Sequence, residues 1–247
     1  MYVIHNLETK YFSGRPLRRK KLYKCVNSAY NTIIKNPEKG AVSIAGKIII
    51  TIGRQFGSGG REIGKQVAEK LGIPFYDKEL LALAAEKSGM NPELFEHNDE
   101  QPINSLLYSL SVNPYAMNHI AGPAHMPIPQ KLFLAQFDTI KSLAEKESCV
   151  FVGRCADYVL RDNPDCFNVF IHAPLEKRVE CVKERMKLTE KEANNLILKT
   201  DKKRAAYYNS YSERKWGAAD HYHLSFDSSR LSREKAVGLI LYSIGES

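Results

Sequence analysis

From Lys47 onward the chain switches repeatedly between two hydrophobic periods. Ile48-Ile49-Ile50-Thr51-Ile52 is a short β-branched run, the pattern of a strand buried on both faces of a parallel sheet. A glycine-rich turn follows, and then Ile63, Val67, Ala68 and Leu71 recur at helical spacing. Pro74-Phe75-Tyr76 predicts a brief second strand, and residues 78–87 a helix. Residues 98–130 carry Pro102, Pro114, Pro123, Pro127 and Pro129 and show no period; they are read as a lid or inserted substrate region, with a plain long loop as the alternative. Periodicity resumes with a helix over 131–146, a strand Cys149–Val152 ending at Gly153-Arg154, and a strand Phe167–Ile171. Pro174 suits a first helical turn, and Thr189 with Glu192 has capping-box spacing ahead of a long polar helix. His223–Phe226 is the last strand expected, with Ser232 capping a final helix. Strands alternating with helices predict an α/β fold: a central parallel sheet of about five strands, helices on both faces, and a helical lid.

Charge divides the chain differently. The net charge is +8, yet residues 1–46 hold nine Lys/Arg against two Glu, so the remaining body is close to neutral. A nucleic-acid-binding domain more often carries its positive charge on the folded face, so no specific nucleic-acid partner is expected. Residues 1–46 are read as a basic helical extension to a domain spanning 47–247. Its Leu22, Val26, Ala29, Tyr30, Ile33 and Ile34 lie at helical spacing, with Arg18, Arg19, Lys20, Lys21 and Lys24 beside them. Packing of that apolar face on the body is favoured over binding to an anionic surface. No apolar run reaches the roughly 18–20 residues needed to span a bilayer, and no secretory leader is evident at Met1. Five scattered cysteines without a CxxC pair point to reduced thiols and a cytoplasmic protein.

The turn Gly53-Arg54-Gln55-Phe56-Gly57-Ser58-Gly59-Gly60 carries the candidate chemistry. A strand, then glycines, then a helix presents bare N–H groups and a helix N-terminus to an anion. Glycine is needed where the chain takes conformations other residues resist and where phosphate approaches the backbone. Ser58 is read as an added hydroxyl donor. Gly53 and Gly59 are read as the two glycines of the P-loop signature GxxxxGK[ST]. Gly60 then replaces the lysine, and Arg61 the hydroxyl residue that would help hold magnesium. A dinucleotide turn is the competing reading: Glu62 stands where its third glycine belongs, while Asp77 lies at the distance of a ribose-binding carboxylate. A purely structural turn is the third.

The segments IITIGRQFGSGGREIGKQVAEKLG, PFYDKELL, CVFVGRCADYVLRD, FIHAPLEKRVECV, TDKKRAAYY and DHYHLSFDSSRL resemble, in order, the cytidylate kinase-like family. The resemblance runs from about Lys47 to the C-terminus and implies a relative of the P-loop nucleoside-monophosphate kinases. It implies ATP and Mg2+ as cofactors, with a small-molecule acceptor such as CMP or dCMP receiving the phosphoryl group. Two alternatives stand beside it: a nucleotide-binding or regulatory protein with little catalysis, and a kinase for a non-nucleotide acceptor.

Carried over by residue, the resemblance puts Gly57 through Glu62 around the ATP phosphates. Arg154 is the kept arginine of a strand-end GRD motif whose aspartate is here Cys155. Asp201 and Arg204 match a DxxR spacing that contacts the acceptor, Asp77 follows the second strand, and Arg178 and Arg185 lead toward the lid. Transfer without the lysine needs another cation: Arg61 or Lys65 reaching back, or Arg154 and Arg204 from the acceptor side. Glu62, so near phosphates, is expected to bind magnesium or to pair with an arginine. Each residue also has a bland reading. Asp201 and Arg204 make an intrahelical pair, Arg178 and Arg185 are solvated charges, and Tyr207, Tyr208, Tyr211 and Trp216 pack against a lid instead of stacking on a base.

Overall fold

A computed structural model describes residues 46–97, 99–100 and 126–245. The expectations for the basic extension, and for most of the proline-rich stretch, fall outside these residues.

Five strands form one parallel sheet: β1 (Ile49–Arg54), β2 (Phe75–Tyr76), β3 (Cys149–Val152), β4 (Cys166–His172) and β5 (Leu224–Asp227), in the order β2-β3-β1-β4-β5. The isoleucine run forms the central strand because both of its faces are covered. Ile50 and Ile52 join Val150, Val152, Val169 and Ile171 on one face, under Ile63 and Val67 of α1 (Gly60–Leu71). Val237, Ile240, Leu241 and Ile244 of the C-terminal helix, Arg233–Gly245, complete that layer. Ile49, Cys149, Phe151 and Cys166 face the other side with Leu80 of α2 (Glu79–Ser88), and there they meet Ile140 and Ala144 of α4 (Ile128–Lys146). Each such fully buried aliphatic side chain contributes about 1.5–3 kcal/mol relative to exposure. Thr51, the polar member of the run, donates from Oγ1 to Asn168 Oδ1 at 2.7 Å, so its hydroxyl is satisfied inside the sheet.

Between α2 and α4 lies α3 (Pro92–His97), a short helix that the sequence pattern did not predict. Helix α4 begins at Ile128, three residues before the expected Lys131, so 128–130 are not irregular. The missing N–H of Pro129 costs nothing in a first turn, where that group has no intrahelical partner. After β3 comes the single turn α5 (Ala156–Val159), then α6 (Leu175–Met186) and α7 (Glu190–Ser212); the C-terminal helix is α8. The capping box at α7 is present: Glu192 N–H donates to Thr189 Oγ1, and Thr189 N–H donates to the Glu192 carboxylate. Among the described residues no helix is long and apolar enough to cross a membrane.

The topology opens a crevice at one end of the sheet. The chain leaves β1 toward β2 on one side and leaves β4 toward β5 on the other, although β1 and β4 are neighbours. Their carboxyl ends therefore diverge into the crevice where open parallel sheets bind ligands.

Candidate active site

The loop after β1 is held from three directions. Gln55 N–H donates to Ile171 O at 3.0 Å, extending the sheet ladder by one residue. Ser58 Oγ donates to Gln55 O and to Ile171 O, so this hydroxyl faces inward and is not the phosphate donor expected of it. From α6 and α7, Arg178 and Asp201 close the outside. Arg178 donates to Ala173 O and Phe56 O, pairs with Asp201 at 2.5 Å, and Asp201 accepts the Phe56 N–H at 2.8 Å.

Two glycines then turn the chain into α1. Gly57 has φ +82° and packs so closely that a Cβ would lie 3.0 Å from Val182 and 3.1 Å from Arg178. Gly59, at φ +76°, is the N-cap of α1 and supplies no side-chain cap. The first N–H groups of α1 lack intrahelical partners and point, with the positive end of the helix dipole, into a cavity of about 240 Å3.

That cavity is lined by loop backbone and by charge. Arg54 leaves the end of β1 and donates to Glu100 Oε1 at 3.1 Å; Arg204 of α7 donates to Glu100 Oε2 at 3.2 Å and to Arg54 O. Arg154 donates to Asp77 Oδ1 at 2.9 Å and to Asp99 Oδ2 at 2.8 Å, and Arg61 takes the other Asp77 oxygen at 2.6 Å. Arg154 is only 3% exposed. It follows Gly153 in left-handed backbone, φ 54°, with Cys155 next at φ 55°. For such residues this conformation costs about 1–2 kcal/mol each, a strain that aims the guanidinium into the cluster.

The charges set one another's titration. Burial would raise the Glu100 carboxyl, but Arg54, Arg154 and Arg204 hold it far below the ordinary range. Burial also opposes the Asp77 carboxylate, and Arg154 with Arg61 more than offsets it. At Asp99 burial wins over Arg154, and the carboxyl is pushed up. Burial and the neighbouring Arg54 bring the Arg204 guanidinium down to about 10. Among the described residues, Asp99 Oδ1, Arg154 Nε and Tyr207 Oη are buried without a hydrogen-bond partner.

Most of the residues singled out in the sequence converge here, in altered relations. Gly57, Gly59, Gly60, Arg61, Glu62, Asp77, Arg154, Arg185 and Arg204 line the cavity. Asp201 and Arg204 are not an intrahelical pair: Asp201 holds Arg178 and the loop, and Arg204 holds Glu100. Arg178 is buried beneath the loop, not solvated. Glu62 pairs with Arg185 at 3.2 Å. Lys65 turns to Glu69 on the exposed face of α1. Gly53 is glycine for a packing reason, since a Cβ would lie 2.8 Å from the Phe170 ring.

The signature count also changes. Its two glycines are five positions apart, whereas Gly53 and Gly59 are six apart, so the first glycine position is Arg54. Arg54, Asp99 and Glu100 are the residues that sequence reasoning missed.

The profile of the cytidylate kinase-like family matches residues 49–230. The chain belongs to the cytidylate kinase-like family. A solved structure of an uncharacterized protein from Eubacterium ventriosum ATCC 27560 is similar at 32% identity and TM-score 0.61, covering 81% of this chain and 100% of that one. Two shikimate kinases are more distant. That of Bacteroides thetaiotaomicron shows 16% identity and TM-score 0.46, covering 78% of this chain and 96% of its own. That of Acinetobacter baumannii, in complex with shikimate, shows 15% identity and TM-score 0.44, covering 81% and 92%. Among curated proteins none matches.

Fold and family support a P-loop kinase-type enzyme that uses ATP. The loop fits a polyphosphate: left-handed Gly57 and Gly59, an uncapped helix N-terminus, and arginines at the cavity wall. A protein-built magnesium cage does not fit. No group of three His, Cys, Asp or Glu is placed to hold a metal among the described residues, Glu62 is engaged by Arg185, and Arg61 by Asp77.

Proposed function

We propose that the protein transfers the terminal phosphoryl group of ATP to a compact anionic acceptor that carries no nucleobase. The observation behind this is the convergence of Arg54, Arg154 and Arg204 on the α1 N-terminus in one cavity of about 240 Å3. Positioning and charge stabilisation make up most of the catalysis of phosphoryl transfer, and buried guanidinium groups supply both. The loop N–H groups hold the donor. Arg154 and Arg204 draw the acceptor's anionic group to the cavity wall. Asp99, with its unpartnered Oδ1 and a carboxyl pushed up by burial, is the group suited to take the proton of an acceptor hydroxyl.

A compact acceptor is favoured over CMP or dCMP by the aromatic side chains. Tyr211 stacks on Phe133 at 3.9 Å between centroids, Tyr208 donates to Asp157, and Trp216 packs edge-on against Phe170. These rings are occupied by core contacts and are not free for a base. Family membership favours the nucleotide reading, so the test must include both.

The test is phosphoryl transfer from Mg-ATP to a panel of hydroxy acids, sugar acids, CMP, dCMP, UMP and AMP. Turnover on a hydroxy or sugar acid is expected, with CMP and dCMP at least about tenfold poorer in kcat/KM. CMP or dCMP as best substrate supports the nucleoside-monophosphate reading instead. ATP binding without transfer to any acceptor makes the protein a nucleotide-binding one.

A further inference from the structure

In the P-loop signature the lysine is the first residue of the helix, a position held here by Gly60, while the signature's first glycine position is held by Arg54. The two departures are geometrically linked. A Cβ on Gly60 would lie 2.6 Å from the Arg54 Cβ, closer than packed carbons approach, so a side chain at 60 and an arginine at 54 exclude each other. A second glycine makes room for the other end of the same side chain. A Cβ on Gly153, at the end of β3, would collide with Arg54 Nη1 and lie 3.0 Å from Arg54 Cζ.

Two strand ends and the helix start thus shape a channel for one arginine, which is 8% exposed. The channel ends at Glu100, whose carboxylate is shared between Arg54 and Arg204. In that pairing two guanidinium groups hold one two-oxygen anion, at the wall of the cavity lined by Gly57, Gly59 and Gly60.

We propose that Arg54 is the cation of the phosphate-binding loop, contacting the polyphosphate of the donor in place of the lysine that position 60 lacks. The proposal rests on the phosphotransfer reading above. It explains the loss of lysine as a relocation of charge by six residues, from the helix start to the strand end. Lys65 and Arg61 are then unnecessary for this role, consistent with their contacts to Glu69 and Asp77.

The test compares ATP and AMP binding by calorimetry on wild type, Arg54→Gln, Arg54→Lys, Gly60→Lys, Arg54→Gly and the double variant Arg54→Gly/Gly60→Lys. AMP lacks the β- and γ-phosphates, so the ATP/AMP affinity ratio reads the polyphosphate contact and does not depend on the fraction of protein folded. Wild type is expected to prefer ATP. Arg54→Gln and Arg54→Gly lower the ratio about tenfold or more, as for loss of a charge-assisted contact. Arg54→Lys keeps most of the ratio, and the double variant recovers to within about threefold of wild type, a coupling expected only if one cation replaces the other. Gly60→Lys alone stays weak or unstable. The proposal is overturned if Arg54→Gln keeps the wild-type ratio, if Arg54→Lys and Arg54→Gln fall equally, or if the double variant is no better than Arg54→Gly. Absence of any ATP preference in wild type overturns the phosphotransfer reading itself.

Discussion

At the amino ends of β4 and β5, Arg161, Asp162, Asn163, Arg214 and His223 line a cleft of about 330 Å3, larger than the roughly 240 Å3 cavity at the carboxyl ends of β1 and β3. Both are polar and both carry arginine. At the amino end the charges are local and wet: Arg161 donates to the nearby Tyr158 O and lies over the Tyr158 ring, and the Asp162 side chain is 87% exposed. At the carboxyl end Arg154 joins Asp77 to Asp99 across 77 and 55 residues of chain, nearly out of reach of water. A left-handed backbone holds it there, and buried polar atoms beside it lack partners among the described residues. Size does not set the two clefts apart in kind. Desolvated charge that the fold constrains, with hydrogen-bonding capacity left over at a helix N-terminus, does.

The contrast breaks most visibly at Arg154. Arg154→Ala leaves the buried Asp77 and the half-buried Asp99 with less counter-charge, and it is expected to cost about 3 kcal/mol or more in urea unfolding. A loss below about 1 kcal/mol would mean that the cluster is solvated like its amino-end counterpart. Next in size is Asp99→Asn, expected to lower turnover on the best acceptor about 100-fold while ATP affinity changes little. A pH profile sharpens it. The base must be ionised, and burial raises the pKa of Asp99, so wild-type turnover should fall on the acid side above the ordinary carboxylate range, a limb absent from Asp99→Asn. Smallest is Arg161→Ala at the amino end. Stability should shift by no more than about 0.5 kcal/mol, with ATP binding unchanged.

Sequence patterning read the sheet well because the sheet is buried on both faces, and a β-branched run such as Ile48–Ile52 leaves little choice. Strand β3 appears as expected, and β4 and β5 are displaced by one residue or extended. The capping box of α7 was legible because its signal is local. The late start expected for α4 comes from reading Pro129 as part of an irregular stretch, whereas it sits in a first turn that tolerates it; α3 spans only six residues, too few for a helical period to show.

The lining of the candidate site is partly legible in the sequence, and its pairing is not. The family resemblance points to Arg154, Asp77 and Arg204, which line the cavity, and to Asp201, which braces the loop beside it, yet their partners lie on other elements, and no helical or strand period encodes contacts over such separations. Asp99 and Glu100 fell in a stretch without periodicity. Arg54 had one available signal, the five-residue interval between the signature's glycines, which counts back from Gly59 to an arginine.

The central claim is that the carboxyl end of the sheet receives ATP phosphates through the loop that begins α1. Backbone amide chemical-shift changes on titrating ATP into the 15N-labelled protein test it most directly, because both ends of the sheet are read at once. The account predicts saturable shifts concentrated at Gly57, Gly59, Gly60 and Arg61, with Asn163, Cys166 and His223 unmoved. Shifts centred on the amino-end cleft, or no saturable shift at the loop, would contradict it.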